Sequence, residues 1–289
     1  MFRRHYLFLA CLTVSLASFA QTPSFKFAAI NFPGASETSA NGINNSGVIV
    51  GSYILASRTH GFKLASGHFS TIDINGAVST VLNAIDGNGD IVGTFQTADL
   101  KSHGFLIHKG VITRLDFPKA VNGTVANGVN NQLTVVGTVD DTFGFIWSAG
   151  KFRSFNAHSD INGATQLNGI SNSGWIVGAV FFSDFLRPFI FRGSDFDFLK
   201  PAASGDFVPH GVNGRGDLVG CSGGDSFLIF NPEAGESSTD KPDGFPPMHT
   251  FVFPGATNTC AASINFSRAI VGSYQDAQFH SHGFLAIVK

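Results

Sequence analysis

A five-residue motif ending in glycine recurs six times along this chain of 289 residues. Successive final glycines are 42, 44, 41, 42 and 52 residues apart. A β-branched residue always lies eight positions before the final glycine, and Asn, Asp or Ser follows it. Self-similarity at a period of about 20 to 50 residues predicts a repeat architecture. The motif copies are Gly47–Gly51, Gly89–Gly93, Leu133–Gly137, Gly174–Gly178, Gly216–Gly220 and Arg268–Gly272.

Each repeat unit is typical of four short β-strands. A strand around Gly42–Asn44 leads into a turn at Asn45–Gly47, whose residues tolerate the positive φ angles of tight hairpins. The motif strand follows, then an aromatic strand at His60-Gly-Phe62 and an alternating apolar strand at Thr71–Ile74. No segment after residue 20 places apolar residues at helical spacing over the roughly 10 to 12 residues that a helix needs. The unit is therefore predicted to be an antiparallel meander of four strands.

The two chain ends indicate how the repeats assemble. Four-stranded repeats of about 40 to 45 residues are typical of propeller blades. The last unit stops at Lys289 without its alternating strand, whereas an unassigned alternating strand, Phe27–Phe32, precedes the first unit. We therefore predict an all-β, six-bladed β-propeller of four-stranded antiparallel blades, in which the N-terminal strand completes the last blade. Residues 21–289 would form this single domain, with residues 231–249 as a surface loop excursion.

The first twenty residues have the pattern of a secretory signal peptide. Basic residues at Arg3–His5 precede the apolar run Tyr6–Leu16, and small residues flank a cleavage point before Gln21. The run is about half of the roughly 20 residues that a membrane span requires, and a lipid anchor at Cys11 would leave too little apolar sequence before it. We expect residues 1–20 to be removed and the mature chain to be a secreted or periplasmic monomer without a membrane span.

Charge argues against nucleic acid as a partner. The formal net charge is −2, and only 13% of residues are charged. Lys and Arg are scattered and form no basic stripe of the kind that attracts phosphate backbones. Gly (34) and Phe (31) are abundant instead, which favours short strands and tight turns.

Two cysteines remain after the leader, Cys221 and Cys260, on neighbouring repeat units. Disulfides persist outside the cytoplasm, so this pair is a disulfide candidate, with two buried thiols as the alternative. A bridge requires Cα atoms within about 7 Å. No histidine cluster accompanies the pair in the sequence, so no zinc site is expected.

Other motifs fall on positions that the repeat already explains. Asp86–Asp90 resembles the start of a calcium loop, but Ile91 stands where such a loop needs Gly and no Glu occupies the twelfth position. We favour a hairpin turn there, with calcium as the weaker alternative and no other cofactor. The tripeptide Arg215–Asp217 lies on the same recurring turn. Three units have a histidine at the same repeat position, so these histidines are spread around a ring and a structural role is predicted for them: His60, His103 and His282.

The unit resembles the HAF repeat of bacterial extracellular proteins, which is named for a His-Ala-Phe tripeptide. The match rests on Gly42–Gly51 followed by His60-Gly-Phe62, and it extends over residues 25–289. The resemblance implies an exported repeat protein and assigns no catalytic, cofactor-binding or metal-binding residues.

Two classes of function follow from this fold. We expect a binding or scaffold module for an extracellular glycan or protein, because the sequence reveals no convergent acid, base or nucleophile. Its binding surface is expected on the rim of the longer connections, such as Pro33–Asn41 and Ile54–Thr59. The alternative is an extracellular polysaccharide hydrolase or lyase with its site at the central channel. A channel lined by Asn, Ser and Thr would favour binding, whereas converging carboxylates or histidines would favour catalysis.

Overall fold

The computed structural model describes residues 22–157, 163–199, 206–231 and 247–289, and their regular elements are all β-strands. The strands form six four-stranded antiparallel sheets. Blade 1 contains β2 (Glu37–Ile43), β3 (Ile49–Leu55), β4 (Arg58–Ala65) and β5 (His68–Ile72). Blade 2 contains β6 (Ser79–Ile85), β7 (Ile91–Gln96), β8 (Ser102–His108) and β9 (Val111–Leu115). Blade 3 contains β10 (Thr124–Val129), β11 (Val135–Val139), β12 (Phe143–Ser148) and β13 (Lys151–Phe155).

Blades 4 and 5 follow the same plan, whereas blade 6 joins the two ends of the chain. Blade 4 contains β14 (Ala164–Ile170), β15 (Ile176–Phe181), β16 (Leu186–Arg192) and β17 (Asp195–Phe198). Blade 5 contains β18 (Phe207–Val212), β19 (Leu218–Ser222), β20 (Asp225–Ile229) and β21 (Met248–Phe251). Blade 6 contains β22 (Asn258–Ile264), β23 (Ala269–Gln275), β24 (Ser281–Val288) and, as its outer strand, β1 (Phe25–Ile30).

The first strand of each blade is the innermost one. These strands contact one another in the sequence β2, β6, β10, β14, β18, β22 and back to β2, so the sheets close into a ring around a central channel. The predicted six-bladed β-propeller is confirmed. The predicted leader and most of the 231–249 excursion lie outside the described residues. Within those residues, no helix is long and apolar enough to cross a membrane.

The ring closes through the N-terminal strand, as predicted. β1 pairs antiparallel with β24, from Phe25↔Val288 to Ile30↔Gly283. The ring of Phe25 stacks on Phe251 of blade 5, with 4.4 Å between centroids. Because β1 supplies both backbone hydrogen bonds to blade 6 and aromatic contact to blade 5, it holds the ring closed.

A steric interlock explains the recurring glycine. A Cβ atom on Gly93 would clash with the carbonyl oxygen of Val81 on the first strand and lie 2.7 Å from the ring of Phe105 on the third strand. The same two kinds of neighbour surround all six motif glycines. The motif glycine on the second strand and the phenylalanine on the third strand of each blade thus pack against each other. These phenylalanines are fully buried: Phe62, Phe105, Phe145, Phe189, Phe227 and Phe284.

Two strand and loop predictions were wrong in detail. The alternating strand of blade 1 was expected over Thr71–Ile74, but β5 ends at Ile72, and Asp73 already belongs to the connection to blade 2. The expected long connection Ile54–Thr59 is a two-residue hairpin turn, because Ile54 pairs with Thr59. Ala56 and Ser57 both adopt positive φ angles, 49° and 62°, as a tight hairpin turn requires. Sequence reading missed this turn because neither residue is Gly or Asn.

Gly93→Ala tests the interlock. The added Cβ must displace backbone or a buried ring, so we expect a loss of about 1–3 kcal/mol in the free energy of unfolding, measured by chemical denaturation. Gly214→Ala is the matched control, because its Cβ would meet Phe266 at 3.6 Å, an ordinary van der Waals contact. Equal effects of the two substitutions would contradict the interlock.

Deletion of residues 25–32 tests closure by the N-terminal strand. The deletion removes the outer strand of blade 6 and the aromatic contacts of Phe25 and Phe27, where a fully buried aromatic side chain contributes up to about 3 kcal/mol. We expect the melting temperature to fall by about 10 °C or more. Removing only residues 22–23 is the control, and a deletion variant that melts like the control would show that β1 is dispensable.

Candidate functional site

Each innermost strand carries a β-bulge at the same repeat position. In blade 1 the pairing moves from Ala40↔Gly51 to Gly42↔Val50, which leaves Asn41 without a partner residue. A bulge re-aims the side chain of its extra residue, and here all six extra side chains line the central cavity. We call this set the bulge ring: Asn41, Asn83, Asn127, Asn168, His210 and Ala262.

The bulge ring ties neighbouring blades together. Nδ2 of Asn41 donates a hydrogen bond of 3.0 Å to the carbonyl oxygen of Leu82 in blade 2. The asparagines of blades 2, 3 and 4 repeat this bond to the next blade at 2.9, 2.9 and 3.0 Å. In blade 5, Nδ1 of His210 lies 3.3 Å from the carbonyl oxygen of Ala261. Ala262 has no polar side-chain atom, so this ring supplies no bond between blades 6 and 1.

A second set of amides stabilises the turns and the seams at once. Oδ1 of Asn44 accepts hydrogen bonds from the backbone N–H groups of Ser46 and Val48, both at 3.0 Å, while its Nδ2 donates to the carbonyl oxygen of Asp86 at 3.1 Å. Asn265 repeats this arrangement, and its Nδ2 donates to Asn44 at 3.1 Å, which connects blade 6 to blade 1. The sequence predicted the turn function of these residues but not the bonds between blades.

A cavity of about 510 Å³ lies within the channel. It is lined by the bulge ring, the ends of the first strands and the turns that follow them, so it faces the rim of these tight turns. The longer connections, where the binding surface was expected, lie on the opposite rim. Among the described lining residues, the ionisable side chains are Asp86 in blade 2 and His210 in blade 5, on opposite sides of the ring.

Asp86 serves as a turn residue in the structure. Its Oδ1 accepts hydrogen bonds from the N–H groups of Asn88 and Asp90, both at 2.9 Å, as Asn44 does in blade 1. Burial, together with the nearby charge of Asp90, raises the pKa of Asp86 above its usual value despite these hydrogen bonds. The motif Asp86–Asp90 thus forms a hairpin turn.

A second cavity, of about 480 Å³, is lined partly by Asp90 and His108. Oδ1 of Asp90 lies 2.8 Å from Nδ1 of His108, whereas its buried Oδ2 has no hydrogen-bond partner among the described residues. In the sequence, Asp90 was named only as the last residue of the motif Asp86–Asp90, and nothing there indicated its contact with His108.

Asp217 forms an ion pair with Arg268 across the seam between blades 5 and 6, in which the carboxylate is buried and the arginine side chain is 36% exposed. Its fully buried carboxylate accepts bonds from Nε of Arg268 at 2.8 Å and from the N–H of Asn231 at 3.1 Å. Burial opposes ionisation, but these bonds, together with one from Nδ2 of Asn213, hold the pKa of Asp217 below its usual value. The tripeptide Arg215–Asp217 therefore buries its acidic residue and does not present it for adhesion.

The repeated histidines fasten the third strand to the residues after the outer strand. Nδ1 of His60 lies 2.7 Å from Asp73, and Nδ1 of His103 lies 3.0 Å from Asp116. In blade 6 the corresponding partner of His282 is Asn31, at 2.9 Å, which follows β1. Each of these histidines thus joins the third strand of its blade to the chain segment that leaves the outer strand.

The structure places the cysteine pair beside a histidine. Cys221 on β19 and Cys260 on β22 form a disulfide between blades 5 and 6, with Cα atoms 5.1 Å apart. Both residues lie within strands. Nδ1 of His210 lies 3.6 Å from Sγ of Cys221 and 3.7 Å from Sγ of Cys260, and burial lowers the pKa of His210. His210 stands ten residues before its motif glycine, where four other units have Asn, and this alignment was the available signal.

No family model and no curated protein matches this chain. Among solved structures, it is similar to a streptogramin B lyase, with a TM-score of 0.54 and 11% identity, over 92% of this chain and 98% of that one. It is also similar to TolB from Acinetobacter baumannii, with a TM-score of 0.50 and 11% identity, over 88% of this chain and 56% of that one. At such identities the likeness shows the fold alone.

A pair of substitutions tests the bulge ring. Asn41→Ala removes one bond between blades, so we expect a loss of about 0.5–1.5 kcal/mol in the free energy of unfolding. Ala262→Asn places a carboxamide at the one bulge position that lacks a polar atom, and we expect a gain of similar size. Both values come from denaturant titrations. If Ala262→Asn leaves stability unchanged while Asn41→Ala lowers it, the ring is not six-fold equivalent in energy.

Proposed function

We propose that this chain is an exported binding propeller that holds a neutral, hydroxyl-rich glycan at the mouth of its central cavity. The observation that carries the proposal is the lining of that cavity, where carboxamides, hydroxyls and backbone groups outnumber charged groups. Ligand sites combine apolar contact with a few fixed polar groups that orient the ligand.

The asparagines of the bulge ring are suited to accept hydrogen bonds from hydroxyl groups. Their Nδ2 atoms are held by bonds to the next blade, so the side chains are already fixed. No protein donor within the described residues reaches Oδ1 of Asn41, Asn83, Asn127 or Asn168. Preorganised acceptors bind without the cost of ordering side chains. Sugar hydroxyls supply donors of the matching kind.

An aromatic side chain stands at the lip of the cavity. Phe266 follows β22 and is 47% exposed, and the guanidinium of Arg215 lies 4.4 Å from its ring centroid. Nε of Arg215 also donates to the carbonyl oxygen of Phe266 at 2.8 Å, which fixes the two side chains relative to each other. An exposed ring held in this way offers an apolar surface for a sugar ring.

The lining favours binding over catalysis. Glycoside hydrolysis usually employs two carboxyl groups about 5 to 10 Å apart. Of the described lining residues, Asp86 alone has a carboxylate, and His210 lies on the opposite side of the ring. The Cys221–Cys260 disulfide and the pattern of residues 1–20 support export, because disulfides persist outside the cytoplasm.

The test is a neutral-glycan array probed with the mature chain, followed by titration of the best ligand. Phe266→Ala should weaken binding at least about fivefold, since truncating an aromatic anchor usually costs more than about 1 kcal/mol. Phe279→Ala is the matched control, because Phe279 is 72% exposed in the same blade but lies in the turn at the opposite rim.

Two outcomes would overturn the proposal. An array without any bound neutral glycan would remove the ligand class. Loss of binding in Phe279→Ala but not in Phe266→Ala would move the site to the rim that the sequence analysis favoured.

A further inference from the structure

Three potential metal ligands meet at the seam between blades 5 and 6. Nδ1 of His210 and the two sulfur atoms of Cys221 and Cys260 all lie within 4.8 Å of one another. Zinc binds sulfur at about 2.3 Å and histidine nitrogen at about 2.0–2.1 Å, so the nitrogen and sulfur ligands of one tetrahedral ion lie roughly 3.5–3.8 Å apart. Nδ1 is 3.6 and 3.7 Å from the two sulfurs. The histidine therefore already stands at the distance of a co-ligand.

We propose that reduction of the Cys221–Cys260 disulfide creates a binding site for a thiophilic d¹⁰ ion, Zn²⁺, with His210 as the third ligand. Two equivalents of a small thiol supply the two electrons and two protons that convert the disulfide into two protein thiols, and the small thiols leave as their own disulfide. Zn²⁺ then displaces one proton from each protein thiol, and both protons pass to the solvent. The oxidised and metal-bound states are mutually exclusive.

His210 replaces an asparagine without loss of the bulge geometry. The disulfide state leaves its Nδ1 near the carbonyl oxygen of Ala261 at 3.3 Å, as the ring asparagines are placed relative to the next blade. Binding a metal through Nδ1 requires the ring proton to reside on Nε2, so the contact with Ala261 gives way to the metal bond. Of the six bulge residues, His210 is the one whose side chain offers a nitrogen lone pair to a metal.

The seam keeps its shape without the disulfide. The fully buried Asp217 binds Arg268 at 2.8 Å, and Nδ2 of Asn213 donates to the carbonyl oxygen of Asn265 at 3.0 Å. Both contacts join blade 5 to blade 6, so the strands that carry the two cysteines stay in register after reduction. Three protein ligands leave a fourth coordination position open, the arrangement of zinc sites that bind an exogenous ligand. His210 lines the central cavity, from which that position is approached.

The test uses the mature chain reduced with a phosphine, which takes up the oxygen of water as its oxide and leaves two protein thiols. Cobalt(II) serves as the spectroscopic probe, and zinc then competes for the same site. We expect one cobalt per chain, with a thiolate-to-cobalt charge-transfer band and the intense visible bands of tetrahedral coordination, displaced by one equivalent of zinc. The air-oxidised chain should show neither.

Single substitutions distinguish a residue that binds the metal from one that only supports the fold. His210→Asn restores the residue of four other blades and the bond to Ala261, yet should weaken zinc binding at least about tenfold and change the cobalt visible bands. Cys221→Ser should abolish the charge-transfer band of a two-thiolate site. His68→Asn, at an exposed histidine of blade 1, is the matched control and should bind as the unaltered chain does.

Three results would overturn the proposal. The first is a reduced chain that binds no more cobalt than Cys221→Ser. The second is unchanged affinity and spectrum in His210→Asn, which would exclude the histidine as a ligand. The third is loss of the cooperative melting transition on reduction, which would mean that the seam does not persist without the disulfide.

Discussion

The close approach of the first and second strands in every blade is the constraint on which the rest of the propeller depends. The second strand brings a glycine beneath a first-strand carbonyl oxygen, and a buried phenylalanine ring closes the space on the other side. Directly after this contact the first strand bulges, and the extra residue turns into the channel. The six-fold motif therefore specifies the packing of each sheet and, at the same time, the residues that line the cavity.

The channel wall joins the blades with neutral groups. Asparagines of the bulge ring, such as Asn41, and asparagines that precede the turns, such as Asn44, both donate hydrogen bonds to the neighbouring blade. The side chain of Asn44 also accepts hydrogen bonds from the backbone of its own turn. Between blades 5 and 6 the bonding is more varied, since an ion pair with a buried carboxylate, a disulfide and a histidine all meet there. That seam departs most from the repeat, and its side chains are the ones that offer reactive and metal-binding groups.

The fold was predictable from the sequence because it depends on spacing. The period, the turn residues, the unassigned strand before the first unit and the missing strand of the last unit are all local patterns, and together they predicted both the six blades and their closure. The site was not predictable in the same way. A bulge depends on the register between two strands, so nothing near Asn41 reveals that its side chain faces the channel. His210 and Cys260 are 50 residues apart, and only the closed ring brings them together. The turn at Ala56 and Ser57 was missed because context overrides the usual preference of such residues.

The pairing of β1 with β24 sets an order of events for folding. Phe25 and its partner Val288 are separated by nearly the whole chain, so β1 cannot pair with β24 until almost the entire chain has been synthesised. Until the final strand emerges, the incomplete blade presents bare backbone donors and acceptors to any passing strand. Contacts of such long sequence separation also form slowly. A partly synthesised chain therefore carries an exposed strand edge at which pairing with a second copy can begin.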